Sequence, residues 1–183
     1  MSRKLRTITL LMLLSGLALA TTWRQLSLTE LLAAAEVAVH AVVDSTTVEL
    51  VDGEPWTHVT FTVRAGLAWP SADDDPEELW QDPGSITLEF LGGAAGGVTL
   101  NADQVPSFEA GDEVILFAYT GRYYSPLVGF NQAAWWLTDG TWRGRDGRLL
   151  GLDASGELVL ESDGVGADPE AVVAAVQAAL EAR

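Results

Sequence analysis

Three turn dipeptides, Asp139-Gly140, Asp146-Gly147 and Ser155-Gly156, follow one another so closely that no ordinary helix fits between them. Asp-Gly tolerates the positive φ angles of a type I′ turn, whose twist matches the twist of two paired strands. The segments they separate, residues 133–138, 141–145, 148–152 and 157–161, are short and strand-like, and the arrangement predicts an antiparallel meander.

The upstream pattern agrees. Val37, Val39, Ala41 and Val43 alternate with Ala38, His40, Val42 and Asp44. Asp52-Gly53 marks a reversal, after which Val59, Phe61 and Val63 alternate with His58, Thr60 and Thr62. Period-two alternation of this kind predicts a hairpin of two half-buried strands. Residues 86–91 form a further strand. Residues 114–119 are apolar without a break, which suits a strand buried on both faces. Thr120-Gly121 then turns the chain into residues 122–128, read as another extended segment.

A helix is expected at each end. Ser27 and Glu30 have capping-box spacing, with Leu26 and Leu31 at the staple positions and Leu28, Leu31, Leu32 and Ala35 as an apolar stripe. Asp168-Pro169-Glu170 opens the second helix, over about residues 168–182, with proline where its missing N–H costs nothing. Val172, Val173, Val176 and Leu180 form its stripe.

The run FLGGAAGGVTL, residues 90–100, carries two Gly-Gly pairs. A phosphate loop would need a helix N-terminus directly after the glycines. Here strand-like Val98-Thr99-Leu100 follows, and no Gly-Lys-Ser/Thr is present. The pattern predicts a bend or bulge in a sheet.

The N-terminus reads as a secretory leader. Arg3, Lys4 and Arg6 precede short apolar runs at 8–14 and 17–19, and Ala18-Leu19-Ala20 fits a cleavage site. Residues 1–20 are therefore expected to be removed, leaving a single β-rich domain from Thr21 to Arg183 with no stable membrane insertion, in a periplasmic or extracellular location. The chain has no Cys, hence no disulfide, thiolate metal site or thiol nucleophile. Three of the ten basic residues lie in the leader. The remaining seven, all Arg, face 26 acidic residues. Such a surface repels phosphate backbones, so nucleic acid is not an expected partner.

Candidate functional residues fall in three groups. An aromatic strip of Tyr123, Tyr124, Trp135, Trp136 and Trp142 suits recognition of a peptide, a glycan or a protein. Trp135 and Trp136 must point to opposite faces, so one is expected in the core. Asp73, Asp74, Asp75, Glu77 and Glu78 sit in one loop. Clustered carboxylates suit calcium, which takes six to eight oxygens, although the spacing is not that of an EF-hand. His40 and His58 lie on paired strands near Asp44 and Glu49, but no spacing fixes a metal or a catalytic role for them. No Gly-x-Ser-x-Gly or His-Glu-x-x-His occurs, and no catalytic residue is assigned.

The segments AEVAVHAVVDS, WTHVTFTV, SITLEFLGG, VPSFEAGDEVILFAY and YYSPLVGFNQAAWWL together resemble a group of uncharacterised exported bacterial β-proteins. Pro106-x-Phe108-x-x-Gly111-Asp112-x-x-x-Leu116-Phe117 carries the most specific part of that likeness. His40 or Ala41 stands where the group tends to have Gly, and Ala133 follows Gln132 where the group has Gly. More remotely, the order of elements is similar to the OB-like barrel of netrin modules and tissue inhibitors of metalloproteinases. The N-terminal Cys those inhibitors use has no counterpart here, so their chemistry does not carry over. The resemblance implies an OB-like barrel and binding rather than catalysis.

The expectation is a mainly β protein: an OB-like β-barrel extended by a C-terminal antiparallel meander and flanked by a short N-terminal and a C-terminal α-helix. It is expected to act as an exported, non-catalytic binding module without a cofactor. Two alternatives are a cysteine-free inhibitor or accessory partner of a secreted peptidase, and a calcium-stabilised structural envelope protein.

Overall fold

The computed structural model describes residues 24–70, 84–119, 121–161 and 164–182. Helix α1 (Leu28–Ala34) opens the described chain. Its capping box forms as the spacing predicts. The Ser27 hydroxyl accepts from the Glu30 N–H at 3.2 Å, and the Glu30 carboxylate accepts from the Ser27 N–H at 2.9 Å. A helix of two turns is not stable by itself. Burial of Leu28, Leu31 and Leu32 holds it, each side chain contributing roughly 1.5–3 kcal/mol relative to exposure.

A long hairpin follows, β1 (Val37–Val51) and β2 (Glu54–Pro70), turning at Asp52-Gly53. Asp52 and Gly53 have φ of 54° and 86°, and Asp139 and Gly140 have 52° and 71°. Both turns have positive φ at the two central residues, as a type I′ turn requires. Next come β3 (Ser85–Leu91), the small ribbon β4 (Gly93–Ala95) and β5 (Val98–Leu100), and β6 (Glu113–Ala118). A 3₁₀ turn (Phe130–Ala133) leads into the meander of β7 (Ala134–Thr138), β8 (Thr141–Gly144), β9 (Leu149–Leu152) and β10 (Leu158–Glu161). Helix α2 (Pro169–Glu181) is capped by Asp168, whose carboxylate accepts from the Glu170 and Ala171 N–H groups.

Eight strands form one antiparallel sheet in the order β10-β9-β8-β7-β6-β1-β2-β3. Central β6 is buried on both faces, residues 114–118 having no accessible surface, as its unbroken apolar run predicts. Helix α2 packs on α1, β8 and β9, which explains how one face is closed. The other face curls. Phe90 of β3 and Trp136 of β7 both touch Phe108, with ring centroids 5.1 Å and 5.6 Å away. Three strands separate β3 from β7, so in a flat sheet their axes would lie about 19 Å apart. Only a strongly coiled sheet brings both rings onto one side chain. Strand β1 supplies a bend: between Val43 and Ser45 it carries one extra residue, Asp44, against consecutive Phe61 and Thr60.

The large antiparallel sheet and the two helices are as expected; one expectation is met only in part and another needs correction. The sheet does not close into an OB-like barrel among the described residues, because β3 and β10 remain its edges. The Leu91 N–H at the β3 edge is taken by the carbonyl of Tyr124, a side contact and not a ladder. Residues 122–128 are also not a strand. They form an irregular loop with a single bridge, Ala118 to Leu127, since proline and serine interrupt the ladder there.

The glycine run is a sheet bend, as expected. Gly92 follows β3, and β4–β5 fold back over the far end of the β1–β2 hairpin. The Thr57 hydroxyl donates to the Gly92 carbonyl at 2.7 Å. A Cβ on Gly93, at φ 117°, would lie 2.8 Å from both Thr57 Oγ1 and Val48 Cγ1. Glycine is needed here for close approach, and the ribbon acts as a flap on the hairpin.

Candidate functional site

The tertiary structure separates the aromatic strip. Trp135 and Trp142 are buried, Trp136 is half-buried, and Tyr123 and Tyr124 are exposed. Trp135 packs edge-on to Phe117, and Trp136 stacks on Phe108. Trp142 Nε1 donates to the Pro169 carbonyl at 3.1 Å and so ties β8 to the start of α2. The tryptophans therefore serve mainly to seat the helices and the curled sheet. Asp73, Asp74, Asp75, Glu77 and Glu78 lie outside the described residues, as does the expected leader over residues 1–20.

The two histidines are not brought together. His40 Nε2 lies 2.8 Å from Glu113 Oε1, and its ring packs edge-on to Trp142. His58 Nε2 lies 3.0 Å from Glu49 Oε1, without the angle of a hydrogen bond, and Nδ1 lies 3.5 Å from Glu89 Oε1. Arg122 pairs with Glu89 and sits 4.9 Å above the Trp56 ring. This cluster links β1, β2, β3 and the loop after β6. Among the described residues no three His, Cys, Asp or Glu side chains are arranged to hold a metal. No helix among them is long and apolar enough to cross a membrane.

A different place gathers polar side chains. A cleft of about 340 Å³ is lined by Gln25, Gln104, Asn131, Gln132, Arg145, Asp146 and Arg148, with Gly144 and Leu160 completing it. Its walls come from the segment before α1, the connector at 101–108, the 3₁₀ turn and the β8–β9 turn. Hydrogen bonds fix the orientation of several amides. Gln132 Oε1 accepts from the Leu26 N–H at 2.9 Å. Gln25 Oε1 accepts from Arg148 Nη1 at 2.9 Å. Both partners can only donate, so each glutamine has its oxygen engaged, and its NH₂ has no partner among the described residues. Gln104 Oε1 likewise accepts from Asn131 Nδ2 at 2.9 Å. Asp146 accepts from Arg148 Nε at 2.7 Å and from its N–H at 3.1 Å, which braces the β8–β9 turn.

Arg145 differs from its neighbours. It is exposed and has no hydrogen-bond or ion-pair partner among the described residues, whereas Arg148 is paired twice. Beneath the cleft a small space of about 20 Å³ is lined by Gln25, Gln132, Trp135 and Leu160, among others. Buried Trp135 Nε1–H has no hydrogen-bond partner among the described residues. The cleft is thus rich in hydrogen-bond donors and carries a local positive charge on a strongly acidic chain.

A second groove, of about 360 Å³, lies between the β4–β5 flap and the 101–108 connector. Thr46, Thr57, Val59, Phe90, Leu100, Val105 and Phe108 contribute to it, and so does Arg145. Arg145 therefore lines both spaces.

Sequence reasoning missed Gln25, Gln104, Asn131 and Gln132. Amides carry no periodic signature, and these four come from three separate stretches of the chain. The one available signal was charge: Arg143, Arg145 and Arg148 are three of the seven arginines after residue 20, crowded into one turn. No protein-family model, curated protein or solved structure matches this chain.

Proposed function

We propose that this protein is an exported, non-catalytic recognition module for a protein, peptide or glycan, with its ligand seat in the donor-rich cleft around Arg145. One observation carries the reading. The oxygens of Gln25 and Gln132 are engaged by protein donors, while among the described residues their NH₂ groups and the Arg145 guanidinium have no partner. A ligand that satisfies them must bring acceptors, and a carboxylate does so best, through charge-assisted and forked hydrogen bonds. The curled sheet is read as an OB-like barrel left open at one seam. This agrees with the bend at Asp44, with Phe108 between β3 and β7, and with the resemblance to exported β-proteins.

The test is an array of peptides and glycans, neutral and anionic, probed with the purified protein and with the double variant Gln104→Ala/Arg145→Gln. Both positions are exposed, so folding is expected to survive. Hits should concentrate on acceptor-rich members and disappear with the double variant. An empty array, or hits the double variant retains, would refute the assignment of this cleft.

A further inference from the structure

The two spaces that share Arg145 differ in chemistry. On one side are amide donors with the Asn131 and Asp146 oxygens, a lining that can match the alternating donors and acceptors of a polypeptide backbone. On the other side is a groove that sets apolar Leu100, Val105 and Phe108 beside polar Thr46, Asn101 and Ser107. Arg145 lines both, a cation without an ion-pair partner among the described residues. A ligand that uses all three must carry an anion, an apolar group and a hydrogen-bonding chain diverging from one point.

We propose that the two clefts form one continuous site and that it takes the C-terminal end of a peptide with an apolar last residue. The Cα of a C-terminal residue bears these three groups: the carboxylate, the side chain and the backbone N–H that continues the chain. The carboxylate pairs with Arg145, the geometry of Arg–carboxylate recognition at a chain end. The terminal side chain enters the groove beneath the flap. A space of about 150 Å³ suffices for benzene, so about 360 Å³ admits a Leu or Phe side chain. The preceding residues run along Gln25, Gln104 and Asn131. Overall charge favours this ligand over a polyanionic glycan. The acidic remainder of the surface repels a chain of many carboxylates, while a single carboxylate can sit at a local positive centre.

This inference rests on the cleft being the ligand seat, and its test separates the two claims. Acetylated tetrapeptides ending in Leu, Phe or Gly are titrated calorimetrically into the purified protein, each as the free acid and as the C-terminal amide. The free acids ending in Leu and Phe should bind at least about tenfold more tightly than their amides and than the Gly peptide. Arg145→Gln should abolish the distinction between acid and amide. Thr46→Trp, which places a ring at the groove wall, should remove the preference for Leu and Phe over Gly. The comparison of Gly with Leu peptides on the unaltered protein examines the groove even if that variant fails to fold. Equal binding of acid and amide would overturn the inference, and so would failure of every peptide to bind. A neutral glycan whose binding is lost in Gln104→Ala but kept in Arg145→Gln would overturn it too, while leaving the recognition reading in place.

Discussion

Replacing Phe108 with alanine removes a ring that touches both arms of the curled sheet. Phe108 is 7% exposed and meets Phe61 at 5.4 Å, Phe90 at 5.1 Å and Trp136 at 5.6 Å between centroids. The loss has three parts. Transfer of the ring to water costs roughly 2–3 kcal/mol. The cavity left between β2, β3 and β7 adds to that, because a coiled sheet held by its own ladders can collapse only in part. Three aromatic contacts of about 0.5–1.5 kcal/mol each are also removed, although they overlap with the area term and do not simply add. Measured phenylalanine-to-alanine changes in cores place the total at about 3–5 kcal/mol. For a domain of this size that corresponds to a melting point lower by roughly 6–20 °C. Urea and thermal unfolding followed by tryptophan fluorescence would read it directly, with Trp136 as the local reporter. Phe108→Leu keeps most of the apolar volume and should cost about 1–2 kcal/mol, restoring the larger part of the loss. A Phe108→Ala variant destabilised by less than about 1 kcal/mol would refute the claim that this ring fills the space inside the curl.

Three further outcomes are expected. The Ser27 N–H and the Arg24 guanidinium hold the Glu30 carboxyl below its ordinary range. A depressed carboxyl contributes stability above its unfolded pKa and loses that contribution as pH falls through the folded value. The N-terminus of α1 should therefore loosen below about pH 4.5. Amide exchange at residues 28–31 would show this, and Glu30→Gln should flatten the pH dependence. Gly93→Ala should destabilise the flap by roughly 1–3 kcal/mol, from positive φ and the two 2.8 Å approaches, with faster exchange confined to β4–β5. Uniform exchange across the sheet would refute that local account. Trp142→Phe removes the hydrogen bond to the Pro169 carbonyl and should cost about 1–3 kcal/mol, seen as earlier loss of α2 in hydrogen exchange. Unchanged protection of α2 would show that this tie does not hold the helix.

Features that depend on a few neighbouring residues are legible along the chain. Ser27 with Glu30, Asp168 with Pro169, and the Asp-Gly turns at 52–53 and 139–140 act through bonds spanning two to four positions, so their partners are visible in order. The unbroken apolar run of β6 likewise announced a strand covered on both faces. Tertiary structure decided everything that depends on which distant surfaces meet. Period-two alternation required Trp135 and Trp136 to face opposite ways, but only the packing of Phe117 and Phe108 determined how each is covered. Alternation also could not distinguish a closed barrel from a curled open sheet, because closure depends on whether the two edges meet. The cleft lay furthest from view. Gln25 meets Arg148 and Leu26 meets Gln132 across more than a hundred residues. A polar side chain far along the chain leaves no periodic trace of its partner, so the donors left over at Arg145 emerge only once the chain is folded.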